Sequence, residues 1–112
     1  ARQFSQANNS QRWSNVNAIL NAVHQYSVDN RGALPSGITG TATQICKVGA
    51  VSTTTCAWLD SVLVPTYVVS IPTDPTGVTV NNSGYTIATT TGNRIVISAP
   101  SAELGTTITI TR

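Results

Sequence analysis

No proline or glycine occurs before Gly32, so nothing from Ala1 to Asn30 removes a backbone donor or invites a break. The stretch reads as one uninterrupted helix. At about 1.5 Å per residue it spans roughly 45 Å, which is long for a chain of 112 residues. Asn30, Arg31 and Gly32 put a cationic group at its end and a residue free to adopt positive φ just beyond, and Pro35 blocks any continuation.

The predicted helix has two halves. At about 100° per residue, Trp13, Val16, Ile19, Leu20, Val23, Tyr26 and Ser27 share one arc, the apolar stripe of a helix packed on a core. Followed back toward the start, the same arc carries Arg2, Ser5, Asn9 and Arg12. A face that changes from charged and amide groups to apolar ones at Trp13 is expected to be covered only from there onward, leaving the first dozen residues protruding. On the other side Phe4, Ala7, Ala18 and Ala22 form a thinner seam suited to neighbouring helices, although alanine is also simply the best helix former.

Charged residues make up 9% of the chain, far below the usual quarter, and polarity comes instead from Thr, Ser, Asn and Gln. Eighteen Thr and twelve Val favour strands in the second half, because branched side chains fit a pleated surface. A net charge of +2 from six scattered basic residues makes no stripe that tracks a phosphate backbone, so nucleic acid is not an expected partner. Cys46 and Cys56 are read as a disulfide, which would close a short loop and stabilise it by roughly 2 to 3 kcal/mol in the chain-entropy model and would imply an oxidising compartment. Two thiols are only half a structural zinc site, and their spacing is not that of a redox pair. No apolar run is long enough to span a membrane.

Gly32 to Ala57 is punctuated by Gly, Pro, Ser and Thr and reads as a connecting loop. Trp58 to Val64 suggests a short helix ended by Pro65, and Tyr67, Val68, Val69 and Ile71 an apolar anchor. The remainder reads as sheet: a short edge strand over Gly77–Val80, a turn at Asn81-Asn82-Ser83-Gly84, a hairpin of Tyr85–Thr90 and Arg94–Ala99, and a last strand within Thr106–Thr111. One face is apolar and the other lined with Thr, and the helix stripe is the only long apolar surface available to cover it. The expected class is α+β: one N-terminal helix across an antiparallel meander of three to four strands, divided as 1–30, a connection over 31–76 and a sheet over 77–112.

Catalysis needs convergent titratable groups, and none is evident, so the chain does not read as an enzyme and no cofactor is expected. His24 and Asp29 are expected on different sides of the helix. Asp60, Asp74 and Glu103 read as isolated carboxylates. Asp74 is foremost a turn residue, with a cation held by Asp74, a loop carbonyl and Asn81 or Asn82 as the weaker reading. Asn8-Asn9-Ser10 and Asn81-Asn82-Ser83 match a glycosylation acceptor, a short pattern in an Asn-rich chain.

Asn15-Val16-Asn17-Ala18-Ile19-Leu20-Asn21-Ala22-Val23-His24-Gln25-Tyr26, followed by Asp29-Asn30-Arg31-Gly32-Ala33-Leu34-Pro35, resembles the post-membrane half of the first helix of bacterial type IV pilins and type II secretion pseudopilins. Val64-Pro65-Thr66-Tyr67, Ile71-Pro72-Thr73-Asp74-Pro75 and Gly84-Tyr85 are similar to the anchor, the Pro-x-Asp-Pro turn and the first sheet strand of many of them. The cysteines depart from the usual bridge near the carboxyl end, and no acidic set matches the calcium ligands of the major secretion pseudopilins. The resemblance implies a structural subunit of a cell-surface filament. Such a subunit carries an upstream apolar segment, absent from this sequence, that a prepilin peptidase processes and that holds it in the cytoplasmic membrane before assembly. It also implies like subunits and an assembly machinery as partners, with Arg2, Phe4, Ala7, Ala18 and Ala22 as filament contacts. A secretion pseudopilin, or a secreted adhesin or carbohydrate-binding module, is the alternative.

Overall fold

The computed structural model describes residues 2–35, 37–48, 56–79, 81–92 and 94–112. The helix α1 runs over Arg2–Asp29, close to the expected limits. Its end is closed by backbone bonds: the Gly32 N–H donates to the Ser27 carbonyl at 2.8 Å and the Asn30 N–H to Tyr26 at 3.0 Å. Gly32 has φ 88°, and Arg31 before it is also left-handed at φ 58°, a conformation that disfavours a side chain.

Four strands follow, β1 (Thr43–Cys46), β2 (Asn82–Thr90), β3 (Arg94–Ser98) and β4 (Thr109–Thr111), with the short helix α2 (Asp60–Leu63) between the first two. They form one sheet in chain order, antiparallel throughout. This is an α+β arrangement. Val16, Ile19, Leu20 and Val23 of α1 share one core with Tyr85, Ile87, Ile95 and Ile97 of the sheet, and Leu59, Leu63 and Ile71 close it from the connection. Ile97 pairs with Ile87 on one side and Ile110 on the other, so the apolar face is continuous across three strands.

The edge strand differs from expectation. Gly77–Thr79 is a turn and an irregular segment rather than a strand, and Val80 lies outside the described residues. Its donors are taken locally, the Gly77 N–H by Asp74 Oδ1 at 2.8 Å and the Thr79 N–H by the Asn82 carbonyl at 3.0 Å. The edge is instead β1, drawn from the stretch read as loop. β3 pairs with β2 over Thr86–Thr90, and the opposite edge of β2 needs a partner of its own. Thr43–Cys46 pairs along that edge, with Thr43 opposite Ile87 and Cys46 opposite Asn82. Cys46 is bonded to Cys56, and Ala57 just beyond bridges Ile45. The expected turn at Asn81–Gly84 therefore opens β2 from Asn82.

Two placements along α1 also change. Trp13, expected in the core, is 39% exposed, whereas Ala22, expected in the outer seam, is 1% exposed. Asn15 is buried as well, so the covered face is turned away from Trp13 toward Asn15 and Ala22. Tyr26 is half-buried and meets Tyr67 edge to face at 5.9 Å.

Because Arg31 occupies a position that suits glycine, Arg31→Gly is expected to stabilise the protein by about 0.5–1 kcal/mol. Thermal unfolding should show this as a midpoint raised by a few degrees.

Candidate functional site

Ser5, Asn8, Asn9, Arg12 and Asn15 recur at helical spacing, and the side chains of Asn9, Arg12 and Asn15 are buried. This corrects the expectation that the face is covered only from Trp13. Arg12 is 0% exposed and carries five N–H donors, each with an acceptor. Nε and Nη2 donate to the two oxygens of Asp74 at 2.8 and 3.0 Å. Nη2 also donates to Thr76 Oγ1 at 2.7 Å. Nη1 donates to Asn9 Oδ1 at 2.9 Å and to Glu103 Oε2 at 2.7 Å.

The carboxylates are equally engaged. Asp74 Oδ1 accepts the backbone N–H groups of Thr76 and Gly77 at 2.9 and 2.8 Å, the behaviour of a turn aspartate. Glu103 accepts from Ser5 Oγ at 2.9 Å and Asn8 Nδ2 at 3.1 Å. The Asn9 amide reads the Glu103 backbone from both sides, donating to its carbonyl at 2.9 Å and accepting its N–H at 3.0 Å. One turn later Asn15 donates to the Thr73 carbonyl at 3.1 Å and the buried Tyr85 hydroxyl at 2.7 Å. Gly84, at φ 97°, makes room beneath: a Cβ there would lie 2.6 Å from Asp74 Cβ.

Asp74 and Glu103 are therefore two walls of one ion-pair node rather than isolated carboxylates. The weaker cation reading at Asp74 is corrected, because Arg12 already occupies both of its oxygens. Asn82 does not join Asp74, since its Oδ1 is buried without a hydrogen-bond partner among the described residues. Among the described residues no group of three or more His, Cys, Asp or Glu could hold a metal, and no helix is long and apolar enough to cross a membrane. The glycosylation patterns are also occupied: Asn8 donates to Glu103, and Ser83 is buried with its hydroxyl on the Ile45 carbonyl.

Burial alone pushes the Asp74 carboxyl up, but the hydrogen bonds from Arg12, Thr76 and Gly77 outweigh it and hold the group below the usual carboxylate range. The Arg12 bond, then those from Asn8 and Ser5, hold Glu103 down. The Asp74 bond holds the Arg12 guanidinium protonated more firmly than usual.

The node fixes what α1 leaves outside. Arg2, Phe4 and Ala7 are exposed, Ala18 is half-buried, and a row at alternating spacings of three and four (Gln3, Ala7, Ser10, Ser14, Asn17, Asn21) carries only small or amide side chains. Phe4 is 72% exposed. At the far end His24 and Asp29, expected on different sides, border one groove with Gln25, Val28 and Tyr67. The Tyr67 hydroxyl donates to Asp29 Oδ2 at 2.7 Å.

Removing the cation strands two carboxylates. Arg12→Met is expected to destabilise by about 3–5 kcal/mol, and Arg12→Lys is expected to recover little of it because an ammonium lacks the planar fork. Chemical denaturation of the three proteins measures both.

The depressed carboxylates also set the acid response. Their contribution is present above the unfolded values near pH 4 and is lost as pH falls through the lower folded values. The raised Arg12 loses its contribution only far into the alkaline range. Stability is expected to be level from about pH 5 to 9 and to drop below about pH 4, with a shallower drop in Asp74→Asn.

Comparison of the chain with protein-family models, with curated proteins and with solved structures finds no match.

Proposed function

We propose that the chain is the head of a type IV pilin or a close relative, a structural subunit of a cell-surface helical filament that assembles through α1 with other copies of itself. The observation that carries this reading is the two-sidedness of α1. Its 28 residues extend over about 42 Å, nearly the full 45 Å of the molecule. One face is fixed to the sheet and the loops. The other presents the small-residue row, whose small side chains at that spacing let a second helix approach closely, and at the start of the helix the Phe4 ring is uncovered. In this reading an apolar segment ahead of Arg2 anchors the subunit in the membrane until the assembly machinery adds it to the filament. The threonine-lined face of the sheet, with Arg94 at its edge opposite Thr90, then faces outward.

The reading is tested on the full-length chain in cells. Ala7→Glu and Ser14→Glu lie on the uncovered face, so each should change the unfolding of the head by no more than about 0.5 kcal/mol. Filaments seen by electron microscopy should nevertheless be lost. Filaments at normal yield with both substitutions in place would overturn the reading.

A further inference from the structure

We infer that Phe4 of one copy seats in the groove beside Val28 of the next, forming a head-to-tail contact; this inference rests on the filament reading above. The groove holds about 330 Å³ and is lined by His24, Gln25, Val28, Asp29 and Tyr67. Val28 at its rim is 80% exposed, an aliphatic side chain with no cover from its own chain. His24, on its wall, is half-buried, and its Nε2 has no hydrogen-bond partner among the described residues; the apolar character of the groove comes from Val28 and the ring of Tyr67. The guest of matching chemistry in the same molecule is the Phe4 ring, the most exposed aromatic side chain described.

Charge points the same way. Besides the buried Arg12, α1 carries only Arg2 and Asp29 as formally charged residues, one beside Phe4 and the other in the groove. Asp29 stands in the last turn, where unpaired carbonyls disfavour a carboxylate. A cation brought by a neighbour offsets that. The two surfaces are different patches on one chain, so the contact is heterologous, and with successive copies displaced along one axis it repeats without closing on itself. Phe4 and Val28 are about 36 Å apart along α1, at about 1.5 Å per residue. With the helices parallel, contacting copies are therefore displaced along the filament by roughly 30–38 Å.

The test uses assembled filaments of the full-length chain. Oxidation of the Phe4→Cys/Val28→Cys double variant should give a ladder of disulfide-linked oligomers that neither single variant gives. Arg2→Glu should lower filament yield at least tenfold, and Arg2→Glu/Asp29→Lys should restore it. Both exposed cysteine sites leave the core intact, which circular dichroism of the soluble head checks. Filaments that form normally but give no ladder, no charge-swap rescue and no axial repeat near 30–38 Å would overturn the contact while leaving the filament reading standing. A wild-type chain that forms no filaments removes both.

Discussion

Arg12 has no water to solvate it, so the arrangement around it must replace every hydrogen bond that burial removed. An isolated guanidinium in such a place costs several kcal/mol. It is tolerated because five donors meet five acceptor contacts from Asn9, Asp74, Thr76 and Glu103. Two of those partners are carboxylates from loops that Asn9 and Asn15 also tie to the helix, through the Glu103 backbone and the Thr73 carbonyl. The node therefore sets the rotation of α1, the position of the turn after Thr73 and the approach of the segment around Glu103 at once. The apolar residues of the later turns then fill the space this leaves.

The rotation has consequences along the helix. With Arg12 pointing inward, Asn15 and Ala22 come to the covered side and Trp13 moves to the rim. Polar side chains of the first turns act as backbone surrogates: Asn9 pairs with Glu103 much as a strand neighbour would. Among the described residues the outer face keeps a single tie to the rest of its own chain, the Arg112 contact at Asn17, and is otherwise open over Gln3, Ala7, Ser10, Ser14 and Asn21. That freedom is what an assembling helix needs, and it is why the filament reading and the buried node belong to one account.

The sheet handles its edges asymmetrically. On the β1 side the bridge from Ile45 to Ala57 and the adjacent Cys46–Cys56 bond cover the strand, which blunts an edge that would otherwise pair with other chains. On the β4 side Ile95 exchanges both backbone bonds with Arg112, and the Arg112 guanidinium reaches Asn17 of α1 at 3.0 Å. The helix and the last strand are thus tied at the carboxyl end, away from the Arg12 node.

Local chemistry alone determined the long helix, its end at Gly32, the hairpin between β2 and β3 and the apolar alternation of Ile87, Ile95 and Ile97. In each case the signal lies within a few residues: absence of breakers, positive-φ positions, and a period of two or of 3.6. The bond between Cys46 and Cys56 was legible for the same reason. The partners of Arg12 were not, since Asp74 and Glu103 lie 62 and 91 residues away and a basic residue on a helix arc looks the same whether it meets water or a carboxylate. Nor was β1, a four-residue strand whose partner is the edge of β2 that faces away from β3. The run of Ser5, Asn9, Arg12 and Asn15 in line with the apolar stripe was the available clue, because polar groups continuing a buried face signal burial with partners as readily as exposure. Tertiary structure decided between the two by bringing both carboxylates to one place, and a charge enters an interior only where such compensation is complete.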